Sequence, residues 1–175
     1  MRRTATNPWV VLVLICLAQF MVVLDATIVN VALPHIQSSL GFNEASLQWV
    51  INAYTLVFAG FLLLGGRAGD LLGRKRLFLI GLVVFTAASF LNGISSTPGM
   101  LIGFRALQGF GAALISPAAL SIISTTFDEG KERARALAVW AAIAIGVLSA
   151  LQLSLSLPRL SLWSWHFTRR SQGST

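Results

Sequence analysis

Apolar residues run along this chain in long blocks separated by short polar stretches, and the blocks exceed what a soluble core helix needs. Roughly 20 apolar residues carry a helix across the hydrocarbon core of a bilayer. Five segments meet or approach that length: 9–33, 47–65, 77–95, 100–123 and 136–157. The pattern predicts an all-α integral membrane protein with about five transmembrane helices. Pro34 is placed to close the first helix, and Pro98-Gly99 to break the chain before the fourth. Trp9 and Trp49 fall near span ends, where aromatic belts are usual. The fifth block differs in kind: from Leu151 to Leu157 leucine alternates with Gln152, Ser154 and Ser156, a period of two instead of the helical period.

Charge orders the blocks. The connecting segments carry Arg2 and Arg3, then no basic residue in 34–46, then Arg67, Arg74, Lys75 and Arg76, then none in 92–99, then Lys131, Arg133 and Arg135. Short basic loops stay on the cytoplasmic side, which predicts a multi-pass protein of the cytoplasmic membrane with its N-terminus in the cytoplasm. Arg159, Arg169 and Arg170 then fall on the outer side and break the rule. The chain is therefore read as transmembrane helices over 1–145 and an atypical tail over 146–175. Either the fifth block does not cross stably or the sequence beyond about residue 145 has been altered, as by a frameshift.

Composition narrows the classes. Hydrophobic residues make up 55% of the chain and charged ones 11%, against about 25% charged in a soluble domain. A net charge of +7 would suggest nucleic acid as a partner for a soluble chain. Here the basic residues cluster beside apolar runs, so orientation in the lipid bilayer explains them and no nucleic-acid partner is expected. Cys16 lies alone in the first block and reads as a packing residue, without disulfide or metal cluster. The first block is too long for a signal peptide, and the bulky Ile15 before Cys16 argues against lipoprotein processing. His35 and His166 stand isolated, so no metal site is expected. No Walker sequence is present, and no nucleophile and base sit where water and substrate both reach. The chain is expected not to be an enzyme, to need no cofactor, and to depend on an ion gradient for any transport.

Inside the spans only Asp25 and Arg105 are charged. A charge near a helix centre costs roughly 2.5–3.5 kcal/mol on insertion scales. Asp25 lies nine residues before Pro34, about 14 Å along a helix, and Arg105 six after Gly99, about 9 Å, so the two are placed to meet in the outer half of the bilayer. One reading is an ion pair that locks two helices. The other is functional: a carboxylate held away from bulk water trades a proton against a cationic substrate. Gln48, Asn52, Tyr54 and Thr55 on the second helix are either interhelical hydrogen-bond partners or the lining of a substrate path. On the fourth helix, Arg105 to Ala113 brings Gln108, Gly109 and Gly111 together, small residues that let backbones approach closely in lipid.

The remaining motif is Gly65 to Arg76, which crowds glycine, one carboxylate and four basic residues into what reads as a short loop between the second and third helices. With Gly66, Asp70, Gly73, Arg74 and Lys75 at matching positions, it resembles the signature loop of the major facilitator superfamily. Leu24 to Pro34 resembles the first-helix signature of its 14-helix drug:proton antiporter branch, and Arg105 to Ala113 the fourth-helix signature of proton-driven members. The resemblance implies proton-coupled efflux of a small cationic or lipophilic molecule, driven by the proton gradient. It assigns Asp25 to coupling or cation recognition, Arg105 to proton movement, and Asp70 to holding a helix N-terminus of the second half in the outward-open state. Gly66 and Gly73 would permit the close approach, and Arg74 and Lys75 would stay cytoplasmic.

The departures are Leu71, where many members carry arginine, and the fifth helix, where the expected Gly-Pro and paired glycines are missing and Gly146 is the only glycine between Gly130 and Gly173. The resemblance covers about residues 8–145. The chain reads as an N-terminal fragment that needs further C-terminal helices or a separate partner chain, and that does not transport alone. The alternative is a small membrane interaction protein that pairs with or regulates a larger transporter.

Overall fold

The computed structural model describes residues 7–143 together with 145, 146 and 149. Four long helices follow in order: α1 (Pro8–Leu40), α2 (Glu44–Leu72), α3 (Arg74–Gly93) and α4 (Pro98–Thr126). A fifth helical segment occupies 131–143. Each of the four is long and apolar enough to cross a membrane. The second half of the expected fifth span, with its alternating leucines, His166 and the tail arginines, lies outside the described residues. Three helix starts are capped as their sequences suggest. Asn7, Asn43 and Thr97 accept from the backbone N–H groups of Trp9, Ser46 and Met100, and Pro8 and Pro98 occupy the first turns, where a missing N–H costs nothing.

The boundary expected at Pro34 is displaced. Helix α1 continues through the proline to Gly41, whose left-handed backbone (φ 67°) ends it and whose N–H reaches the carbonyl of Gln37. The continuation is driven by packing: Leu33, Ile36 and Leu40 recur at helical spacing and close over Phe42, Val50 and Leu101 in a separate apolar cluster. That burial offsets the hydrogen bond that Pro34 removes.

The glycine-rich stretch is not a loop. Gly65 to Leu72 form the last turns of α2, and Gly73 alone (φ 90°, ψ 127°) separates α2 from α3. A side chain at Gly73 would have room but not the backbone angles. Trp9 meets Phe127 edge to face at 5.5 Å, and the Arg74 Nη1 donates to the carbonyl of Ser121 at 3.4 Å. The start of α1, the α2–α3 turn and the end of α4 thus share one end of the bundle. Arg67, Arg74, Lys75 and Arg76 lie at that end, and Lys131, Arg133 and Arg135 follow the end of α4 into it.

Helix α4 lies at the centre, packed closely on both α2 and α3. Its small residues make this possible. A Cβ at Gly109 would collide with the carbonyl of Tyr54, and one at Gly111 would come within 2.7 Å of the backbone nitrogen of Phe85. Across from Gly111, Gly81 leaves room in turn for Leu114, which a Cβ there would meet at 2.9 Å. A third contact depends on Pro117, which is inside α4 and lacks the N–H that would bond Ala113. The freed carbonyl of Ala113 is covered by Gly65 of α2, where a Cβ would strike that oxygen. Without a hydrophobic drive between helices in lipid, such close backbone contact is what holds them together. By contrast, α2 leaves Leu56, Leu63, Leu64 and Leu71 exposed, an apolar face suited to lipid or to further helices.

Candidate functional site

Residues of all four helices meet around Arg105 and its neighbour Gln108. Its side chain is 3% exposed and its Nη1 lies 2.6 Å from the Oδ2 of Asp25, which is 14% exposed. The same Nη1 donates to Gln108 Oε1 at 2.8 Å, and Nε donates to the carbonyl of Val50 at 3.3 Å. The guanidinium carbon also sits 4.6 Å above the ring of Tyr54, in cation–π contact. Gln108 is fully buried and closes the ring: its Nε2 donates to Asp25 Oδ1 at 2.8 Å, while its Oε1 also accepts from Asn92 Nδ2 of α3 at 2.7 Å.

These contacts explain how the bilayer tolerates two charges. A buried pair is stable only when its remaining donors and acceptors are satisfied, and here both carboxylate oxygens have a partner. The same satisfaction limits what Asp25 can do. With Arg105 on one oxygen and Gln108 on the other, both carboxylate oxygens are already engaged within the protein. A cavity of about 300 Å³, bordered by Val29, Ser39, Ser89 and Asn92, reaches both Asp25 and Arg105. Around seven residues separate Arg105 from the start of α4, about 10 Å, so the pair lies toward the end opposite the basic residues.

Of the polar residues on the second helix only Tyr54 joins this site. Gln48, Asn52 and Thr55 are exposed, and Thr55 bonds its own helix through the carbonyl of Ile51. Val50 enters through its carbonyl and Asn92 through a lone amide near the end of an apolar span; neither carries a sequence signal beyond that isolated polarity. Gly109 and Gly111 flank the site as packing positions.

At the basic end Asp70, in the last turn of α2, is 64% exposed and lies 3.7 Å from Arg74, the first residue of α3. An open hollow of about 540 Å³ is lined there by Gly69, Asp70, Gly73, Arg74, Lys75 and Arg76, with Ile122 and Thr125 of α4 behind. The Asp70–Arg74 pair bridges the α2–α3 turn in an exposed position, so it adds little to the fold. Asp70→Asn is expected to change stability by less than about 0.5 kcal/mol in thermal unfolding; a loss of several times that would give the aspartate a structural role within these helices. Close backbone approach in this stretch belongs to Gly65. A Cβ at Gly66 would meet only Pro117, at an ordinary 3.9 Å, so among the described helices the close backbone contact is made at Gly65 and not at Gly66.

A sequence model of the Major Facilitator Superfamily matches residues 15–168. The chain belongs to the major facilitator superfamily. The match runs beyond residue 145, where the motif resemblance ends. Among relatives of this major facilitator chain, the cephamycin export protein CmcT of Amycolatopsis lactamdurans is 51% identical over 134 residues, 77% of this chain and 28% of that protein. The puromycin resistance protein pur8 of Streptomyces alboniger is 48% identical over 162 residues, 90% and 31%. The methyl viologen resistance protein SmvA of Salmonella typhimurium is 44% identical over 138 residues, 79% and 28%. The chain therefore spans less than a third of the length of these relatives, and what it resembles are export and resistance proteins.

Proposed function

We propose that this chain supplies N-terminal helices of a proton-coupled drug exporter of the cytoplasmic membrane, with Asp25 as the proton-exchanging group and Arg105 as the cation that governs it. The observation that carries the reading is the buried pair closed by Gln108: two charges kept in a bilayer at considerable cost, one on α1 and one on α4, with both carboxylate oxygens engaged by side chains of α4. In this reading the N-terminus is cytoplasmic, because the basic residues gather at one end. Asp70 faces outward there as a carboxylate available to a helix N-terminus beyond the described residues. Alternating access rocks one set of helices against another around a central site, so the helices described here supply one side of the movement and the chain alone is expected not to transport. The carried molecule is small and lipophilic or cationic, as the export relatives and the apolar surroundings of the site suggest.

The test is ethidium efflux from a drug-sensitive, efflux-deficient bacterial host. The chain is expressed alone and together with a polypeptide carrying the later helices of the puromycin resistance relative. The expected result is no efflux alone, uncoupler-sensitive efflux with the added helices, and its loss in Asp25→Asn. Efflux that survives Asp25→Asn would remove the coupling role, and efflux by the chain alone would remove the requirement for a second set of helices.

A further inference from the structure

We infer that Asn92, an α3 residue outside every motif, is a positioning residue for the Asp25–Arg105 pair and acts through the side-chain amide of Gln108. Its biological weight rests on the proton-exchange reading above; its chemistry can be measured separately.

The orientation of the Gln108 amide follows from its neighbours. Arg105 can only donate, so the atom it meets is the carbonyl oxygen, Oε1, at 2.8 Å. The NH₂ group then faces Asp25 Oδ1, which accepts at 2.8 Å as an ionised carboxylate does. Asn92 completes the arrangement by donating its Nδ2 to the same Oε1 at 2.7 Å. Its own Oδ1 is buried and has no partner among the described residues, so no competing bond fixes the Asn92 side chain. Gln108 alone orients it, and it in turn holds Gln108.

Protonation of Asp25 at Oδ1 turns that oxygen into a donor facing the donor Nε2. The protonated oxygen keeps a lone pair for Nε2 but is a weaker acceptor than the carboxylate, and its new O–H finds an acceptor in Gln108 only if that side chain rotates to present Oε1. Rotation then sets its NH₂ against Arg105 and against the Asn92 Nδ2, all donors. Asn92 therefore adds to the resistance against protonating Asp25, and its own rotation, which would bring the free Oδ1 to Gln108, is part of the release. Among the described residues no other element supplies this control. The ionisable groups around Asp25 are Arg105 of α4 and Tyr54 of α2, while α3 brings only the neutral Ser89 and Asn92.

The experiment is infrared difference spectroscopy of the 175-residue chain in lipid nanodiscs. It is titrated from about pH 4 to about pH 10, the interval between ordinary carboxylate and tyrosine values. The band of the protonated Asp25 carboxyl is identified by its absence in Asp25→Asn. Asn92→Leu is expected to let Asp25 take its proton at a proton concentration about fivefold lower than in the wild type, the worth of one net hydrogen bond. Asn92→Gln, which keeps the amide, is expected to stay near the wild type. Asn92→Ala carries the same expectation as leucine and replaces it if leucine prevents folding. An Asp25 band that titrates identically in all variants overturns the positioning role and leaves the coupling reading standing. Equal shifts in the glutamine and leucine variants overturn the positioning role as well, since a merely structural effect would produce them. A band that never titrates overturns both.

Discussion

Removing the aspartate of the buried pair is expected to cost this protein more than removing the arginine. An arginine stays charged at any working pH, so Asp25→Leu leaves a permanent cation 3% exposed. Its remaining partners, the Val50 carbonyl, Gln108 Oε1 and the Tyr54 ring, are all neutral. Breaking a buried pair from one side costs about 3–5 kcal/mol, and Asp25→Leu should show a loss of that size at every pH. Arg105→Ala leaves a carboxylate, and a carboxylate has an escape: it takes up a proton. The penalty for burying its charge is full where Asp25 is ionised and fades as falling pH protonates it, so the deficit of Arg105→Ala relative to wild type should shrink toward acid. Asp25→Leu combined with Arg105→Ala should lose less than the sum of the single changes. Denaturation of the four proteins in lipid across pH would decide it. A deficit for Arg105→Ala that equals that of Asp25→Leu and does not move with pH would show that the pair is not the buried, charged pair described above.

The second large effect is expected at Gly65 and Gly109. At both, a Cβ would meet a backbone carbonyl of the neighbouring helix, Ala113 and Tyr54 respectively. Overpacking a core costs typically 1–3 kcal/mol when side chains can shift; a carbonyl in a helix cannot, so α2 and α4 must separate. Gly65→Val and Gly109→Val should each lose about 3 kcal/mol or more, in excess of that range, while Gly66→Ala should change stability by well under 1 kcal/mol, as a surface change does. The contrast is useful because Gly66 is among the positions that match the signature loop and Gly65 is not. Equal sensitivity at 65 and 66 in unfolding measurements would mean that the α2–α4 contact is not set by this glycine.

These cases show what the sequence reveals and what it withholds. Helix number and the ends that carry charge follow from block length and basic residues, because hydrocarbon thickness and the positive-inside tendency act on local sequence. The meeting of Asp25 and Arg105 is legible for a similar reason: two isolated charges in lipid have few ways to be satisfied. The end of α1 was misplaced at Pro34 because the stabilising contact, Leu33 with Ile36 and Leu40 over Phe42, is tertiary and lies beyond the proline. The α2–α3 connection appeared as a loop because glycine and charge are ordinarily loop signals, whereas here glycines serve a helix that passes close to α4. Asn92 gave no warning at all. An asparagine near the end of an apolar span is unremarkable until α3 is folded against α4.

The distance along the chain between the paired charges also has a temporal meaning. Asp25 and Arg105 are 80 residues apart, which at about 5–20 residues per second of synthesis separates their emergence by roughly 4–16 s. Until α4 is made, α1 holds its carboxylate in the membrane without Arg105 or Gln108, and Asn92, 67 residues after Asp25, also arrives only late in that interval. An unpaired carboxylate is costly in hydrocarbon, so α1 is at a disadvantage until α4 arrives. Assembly of this site is therefore a late step in synthesis, timed by the arrival of α4 and not by the insertion of α1.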